Sequence, residues 1–211
     1  DELDYDVPAD TRLLLGVDYA LLRRQFREAR AKLDAAGGPD VPEMVSRVLV
    51  TMGGGDPTNE TAKVLRALAL ADYSGEVDVV IGPSNPHRSA LEELAEQQVA
   101  DIRFHTNVSN MAELMLGQYL AICAAGGTSW ELACLGIPLM QIVVAENQKE
   151  IAKWLAENDA TRLLGTANEI DAARIRSSFR ALASDREERS THLEAGMNLV
   201  DGLGAERVLR W

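Results

Sequence analysis

The feature that most constrains this chain is an alternation, from Arg47 onward, of short β-branched runs with segments of helical period. Val48–Met52, Val77–Ile81, Ile102–His105, Tyr119–Ala124 and Leu139–Val144 read as strands, with a weaker one at Arg162–Leu164. Helices are predicted over Asn59–Ala71, Pro86–Gln97, Asn110–Leu116, Ser129–Leu135 and Gln148–Asn158. Two closing helices, Glu169–Ala183 and Glu187–Val200, precede Gly202-Leu-Gly204 and a short tail. A repeated βα order implies right-handed crossovers, a parallel sheet and helices on both faces. The expected fold class is therefore α/β, a Rossmann-like parallel sheet. In such sheets ligands collect at the C-terminal edge of the strands, where the βα loops converge.

Upstream, Leu13–Lys32 reads as a short apolar strand-like run followed by a helix. The Gly and Pro residues of Asp34–Pro42 then break it, as a linker does. The expected organisation is a lead-in and inter-domain linker over 1–45, then a ligand-binding domain over 46–211 with its closing helices. The chain opens on Asp1 in a charged stretch rather than on Met, which suggests a piece of a longer polypeptide. At 211 residues it is long enough for one substantial core. A formal net charge of −12 opposes nucleic-acid backbones and anionic membranes, so a phosphate has to be held by local donors, backbone amides above all. Cys123 and Cys134 sit in apolar stretches without C-x-x-C spacing, and His87, His105 and His192 lack metal-ligand spacing, so reduced thiols and no metal or cofactor are expected. No apolar run approaches the ~20 residues of a membrane span, and no signal-peptide pattern opens the chain, which makes cytoplasm the default.

Three βα loops carry candidate chemistry. In Thr51-Met-Gly-Gly-Gly-Asp-Pro-Thr-Asn59, Gly53, Gly54 and Gly55 let a ligand approach the backbone, and the helix start beyond them offers unpaired amides to an anion. The same residues also suit a tight turn capped by Asp56 or Thr58 with Pro57 early in the helix. In Ala124-Ala-Gly-Gly-Thr-Ser-Trp-Glu131, Gly126 and Gly127 make a second donor nest, beside the hydroxyls of Thr128 and Ser129. Glu131 reads either as a capping-box partner of Thr128 or as an acceptor for two ribose hydroxyls. In Val144-Ala-Glu-Asn-Gln148, Asn147 and Gln148 can read sugar hydroxyls or acetamido groups, although Asn147 could equally cap the next helix. Met111, Leu114 and Met115 are spaced as a core face, and His87, at a strand-to-helix junction from which it could approach a ligand, better fits a helix-start role.

Read in order, Leu14-Leu-Gly-Val-Asp-Tyr-Ala-Leu-Leu-Arg23, Gly53-Gly-Gly-Asp-Pro57, Asn110-Met-Ala-Glu-Leu-Met115, Ala125-Gly-Gly-Thr-Ser-Trp-Glu131, Leu135-Gly-Ile-Pro138, Asn147-Gln148 and Asp201-Gly-Leu-Gly-Ala-Glu-Arg207 resemble the UDP-sugar hydrolases of pseudaminic acid biosynthesis and related spore-coat polysaccharide proteins. Those hydrolases release UDP from a diacetamido-trideoxy hexose. A looser likeness links the loops to GT-B glycosyltransferases. The resemblance implies the C-terminal half of a two-domain GT-B protein, with phosphates at the Gly53 and Gly126 loops, ribose on Glu131, and Asn147 and Gln148 toward the sugar. It implies UDP or a UDP-sugar as ligand and a missing N-terminal domain as partner, with self-association through the exposed docking face. The family's water-activating His on an N-terminal Gly-rich loop has no counterpart in this sequence, so no catalytic residue is expected here and the piece alone is expected to be inactive. Gly55 departs from the Ser or Ala of many relatives.

Overall fold

The computed structural model describes residues 6–8 and 10–210; Asp1–Tyr5, most of the charged lead-in, lie outside it, as do Ala9 and Trp211. Six strands form the sheet: β1 (Arg47–Thr51), β2 (Glu76–Val80), β3 (Asp101–His105), β4 (Leu120–Ala124), β5 (Leu139–Val143) and β6 (Arg162–Thr166). All pair in parallel, in the order β3-β2-β1-β4-β5-β6. The helices are α1 (Arg24–Ala35), α2 (Glu60–Leu70), α3 (Arg88–Glu96), α4 (Met111–Leu116), α5 (Gly127–Cys134), α6 (Lys149–Glu157), α7 (Ala172–Ser184), α8 (Arg186–Leu199) and α9 (Gly204–Leu209). Each strand and helix expected from Arg47 to Val200 is present, with ends that differ by up to three residues.

Two apolar layers sandwich the sheet. On one face Val48, Val50, Val79, Ile122 and Ile142 meet Leu65 and Leu68 of α2 and Ile175, Phe179 and Leu182 of α7. On the other, Leu49, Ala121, Cys123 and Leu139 meet Phe26 of α1, Met111 and Met115 of α4, Leu132 of α5 and Leu135 just after it. Full burial of such side chains stabilises by about 1.5–3 kcal/mol each, which fixes the strand positions firmly. Cys123 and Cys134 are free and buried, and burial pushes their thiols up to about 12 and about 11.

The upstream segment departs from its reading. The strand-like run near Leu13 lies outside the sheet, and a 3-10 turn, Val17–Tyr19, follows it. This turn packs against α9, the helix that stands where only a tail was expected, and a Cβ on Gly204 would lie 2.2 Å from the Ala20 carbonyl oxygen. The break at Asp34–Pro42 is real, with Gly37 and Gly38 both at positive φ. Its far end is nonetheless pinned: Arg189, 0% exposed, donates to the Pro42 and Glu43 carbonyls and to those of Leu182 and Ala183 at the end of α7. Among the described residues no helix is long and apolar enough to cross a membrane.

Candidate nucleotide site at the sheet switch point

The strand order reverses between β1 and β4, whose chains continue to opposite sides of the sheet. This is the position at which open α/β sheets form a crevice beyond their strand ends. Thr51 pairs with Cys123 across that boundary, and adjacent strands run about 4.8 Å apart, so the Gly53 and Gly126 loops leave the sheet side by side. The β5 loop follows next, because Ala124 pairs with Ile142.

In the first loop Gly53, Gly54 and Gly55 are exposed and Gly53 has φ 84°. Among the described residues no protein acceptor takes their amide hydrogens. The amides at the start of α2, by contrast, are occupied. Asp56, 4% exposed with φ 40°, accepts from Glu60 N (2.8 Å) and Thr61 N (2.9 Å). Asp56 is thus the cap, Thr58 is not, and Pro57 lies in the preceding turn rather than in the helix. The anion-binding capacity of this loop rests on the glycines and not on the helix end.

The second loop differs in detail from its sequence reading. Helix α5 begins at Gly127, two residues early, so Gly127 and Thr128 supply first-turn amides that no described protein atom accepts. The Gly126 amide donates to Ser129 Oγ (3.1 Å), and that buried hydroxyl also takes the side-chain amide of Gln141. Ser129 therefore braces the loop from beneath, which corrects its placement among ligand-facing hydroxyls. Thr128 is partly exposed. Glu131 makes no capping box with Thr128. Its carboxylate faces Arg23, which donates Nε and Nη2 to Oε1 at 3.2 and 2.9 Å. Desolvation raises the Glu131 pKa above the ordinary carboxylate value, and the Arg23 bond and charge oppose that rise.

In the third loop, Glu146–Gln148 forms a 3-10 turn ahead of α6. Gln148 accepts from Val144 N through Oε1 (3.0 Å), which aims its Nε2 at the second loop, 3.8 Å from the position of a Cβ on Gly126. Asn147 is exposed and does not cap α6. A fourth loop, Gly82–His87 after β2, belongs to the same edge although its glycine carried no signal. A Cβ on Gly82 would lie 2.0 Å from the Gly54 carbonyl oxygen, and His87 Nε2 lies 3.4 Å from the Pro57 carbonyl oxygen. His87 stands immediately before α3, at its N-cap position, without a side-chain cap bond.

This sheet, with its loops at the switch point, defines a Rossmann-type unit of the GT-B class, the fold of glycosyltransferase-like proteins. The chain is similar to Acinetobacter baumannii MurG, with a TM-score of 0.66 and 17% identity over 97% of this chain and 56% of that one. It is similar also to a UDP-GlcNAc 2-epimerase from Neisseria meningitidis bound to UDP-GlcNAc, with a TM-score of 0.62 and 17% identity over 88% of this chain and 50% of that one. In sequence it is similar to the spore coat polysaccharide biosynthesis protein SpsG of Bacillus subtilis, 30% identical over 208 residues, 96% of this chain and 58% of SpsG. The chain thus spans little more than half the length of these proteins. No protein-family model matches it.

Proposed function

We propose that this domain binds the UDP end of a UDP-linked sugar, and that the whole protein is a sugar-nucleotide hydrolase releasing UDP from a diacetamido-trideoxy hexose. The observation that carries the reading is the juxtaposition, at the switch point, of unpartnered amides on Gly53, Gly54, Gly55, Gly127 and Thr128 with the Glu131 carboxylate one helical turn further on. Converging amides hold a diphosphate without a basic surface, as a chain of net charge −12 requires. Glu131 accepts from the two ribose hydroxyls, and Gln148 Nε2, with Asn147 beside it, faces the sugar-phosphate end. These donors stabilise the charge on departing UDP while water bonds to the anomeric carbon and the carbon–oxygen bond to phosphate breaks. The base that takes the proton of that water comes from outside this chain.

A glycosyltransferase reading is favoured by a fold likeness to the spinosyn rhamnosyltransferase SpnG, and it shares every one of these roles except the acceptor. Incubating the whole protein with UDP-sugars, with and without acceptors, separates the two: release of UDP only when an acceptor is present would reject hydrolysis. For the chain itself, calorimetry should register UDP binding, stronger than that of UMP or ADP. Glu131→Ala should weaken UDP about tenfold or more, the loss of hydrogen bonds to a charged acceptor, and leave pyrophosphate little changed. Equal losses for both ligands would overturn the ribose assignment.

A further inference from the structure

Glu131 lies in a desolvated position, its side chain 14% exposed, with one cation beside it. That cation, Arg23, comes from the residue preceding α1 and is remote in sequence. Both of its donors converge on Oε1, which leaves Oε2 without a protein partner among the described residues. The guanidinium is fixed from behind by the Phe26 ring, 5.2 Å from its Cζ to the ring centroid. Two neighbouring cations on α1 are engaged elsewhere. Arg27 pairs with Glu206, and Arg30 pairs with Asp34 while donating to the Cys134, Met197 and Val200 carbonyls. Helix α8 meets α5 through Gly196 against Ala133, its Leu193 and Met197 lie at Gly136 just beyond α5, and α6 presents Glu150 and Trp154 across the groove from Trp130.

We infer that Arg23 is a positioning residue for Glu131: it orients the carboxylate by gripping one oxygen and keeps it ionised, so that it can accept from a vicinal diol. The inference rests on the proposed nucleotide reading, in which that diol is the ribose. An ionised carboxylate is acceptor-only and binds two hydroxyls more strongly than the protonated group, which has a hydrogen of its own to donate. Burial favours the neutral form, and the adjacent guanidinium opposes that preference. Arg23 therefore acts on the affinity for nucleosides through Glu131, without being needed for the diphosphate held by the glycine amides.

The test is UDP binding by calorimetry between pH 5.5 and 8 for the parent chain, Arg23→Gln and Arg23→Lys, with inorganic pyrophosphate as a second ligand. The ratio of variant to parent affinity at each pH cancels the titration of the ligand and of every group the two proteins share. For Arg23→Gln that ratio should fall by about twofold or more between pH 8 and pH 5.5, because without the guanidinium burial raises the carboxylate further. Arg23→Lys should restore most of it, and the pyrophosphate ratios should stay near one for both variants. A flat UDP ratio for Arg23→Gln, or equal losses of UDP and pyrophosphate, would overturn the inference. Failure of the parent to bind UDP at any pH would instead overturn the function on which it rests. Arg23 is 51% exposed, so both substitutions leave the core intact, and a thermal midpoint close to that of the parent verifies this.

Discussion

Replacement of Asp56 is the sharpest test of how the first glycine loop is built. Its carboxylate is almost wholly buried and accepts two amide hydrogens at 2.8 and 2.9 Å, from Glu60 and Thr61, the first residues of α2. Hydrogen bonds to an ionised group contribute about 1.5–3 kcal/mol each, while loss of a helix cap measures about 0.5–2 kcal/mol. Both amides lie near the buried start of α2, where water cannot fully replace the carboxylate, so Asp56→Ala should cost about 2–4 kcal/mol. At about 2–4 °C per kcal/mol for a chain of this size, the thermal midpoint should fall by about 4–16 °C. Asp56→Asn separates the contributions, because Asn tolerates the φ of 40° and keeps one acceptor oxygen; it should lose about half as much. Urea unfolding at pH 7 gives the free energies directly. A stability for Asp56→Ala within about 0.5 kcal/mol of the parent would refute the argument, for it would mean that solvent satisfies the α2 amides equally well.

Other perturbations follow from single contacts. Gly82→Ala drives a Cβ into the Gly54 carbonyl and should displace the glycine loop, lowering UDP affinity about tenfold at a stability cost of about 1–3 kcal/mol; unchanged calorimetry would show the two loops to be uncoupled. Arg189→Met removes the guanidinium donor from four backbone carbonyls and should cost about 2–4 kcal/mol in urea unfolding, a loss under about 1 kcal/mol counting against its role as a clamp. Burial, with Arg162 nearby, lowers the His192 pKa below its ordinary value despite the opposing Glu188. The unfolded chain then binds the extra proton from near pH 6.5 downward, so stability falls as pH drops through that window, by up to about 1.4 kcal/mol per pH unit. His192→Gln should flatten this acid limb, and parallel stability curves for variant and parent between pH 7.5 and 5 would refute it.

The strands were legible because a parallel sheet covered on both faces requires runs such as Val48-Leu-Val50 and Leu120-Ala-Ile122 to be apolar at every position. The glycine loops were legible as punctuation, but their wiring was not. Whether a hydroxyl or carboxylate turns inward depends on what the neighbouring strand offers: Ser129 was claimed by Gln141 of β5, and Asp56 by the α2 amides. Arg23 and Glu131 are 108 residues apart, and no local pattern announces such a pair. Helix α9 was missed because it starts at Gly204 without a side-chain cap and is held by close approach to Ala20, a contact invisible to periodicity.

Helix α5 carries Gly127, Thr128 and Glu131 at its start, and further along its Ala133 backbone abuts α8, where a Cβ on Gly196 would lie 3.1 Å from Ala133 Cα. Two helices in such intimate register open to solvent as one cooperative unit rather than separately. Occupancy of the crevice should therefore slow deuterium uptake along Leu193–Leu199, in residues that a nucleotide never touches, and this remote helix becomes a built-in gauge of whether the site is filled.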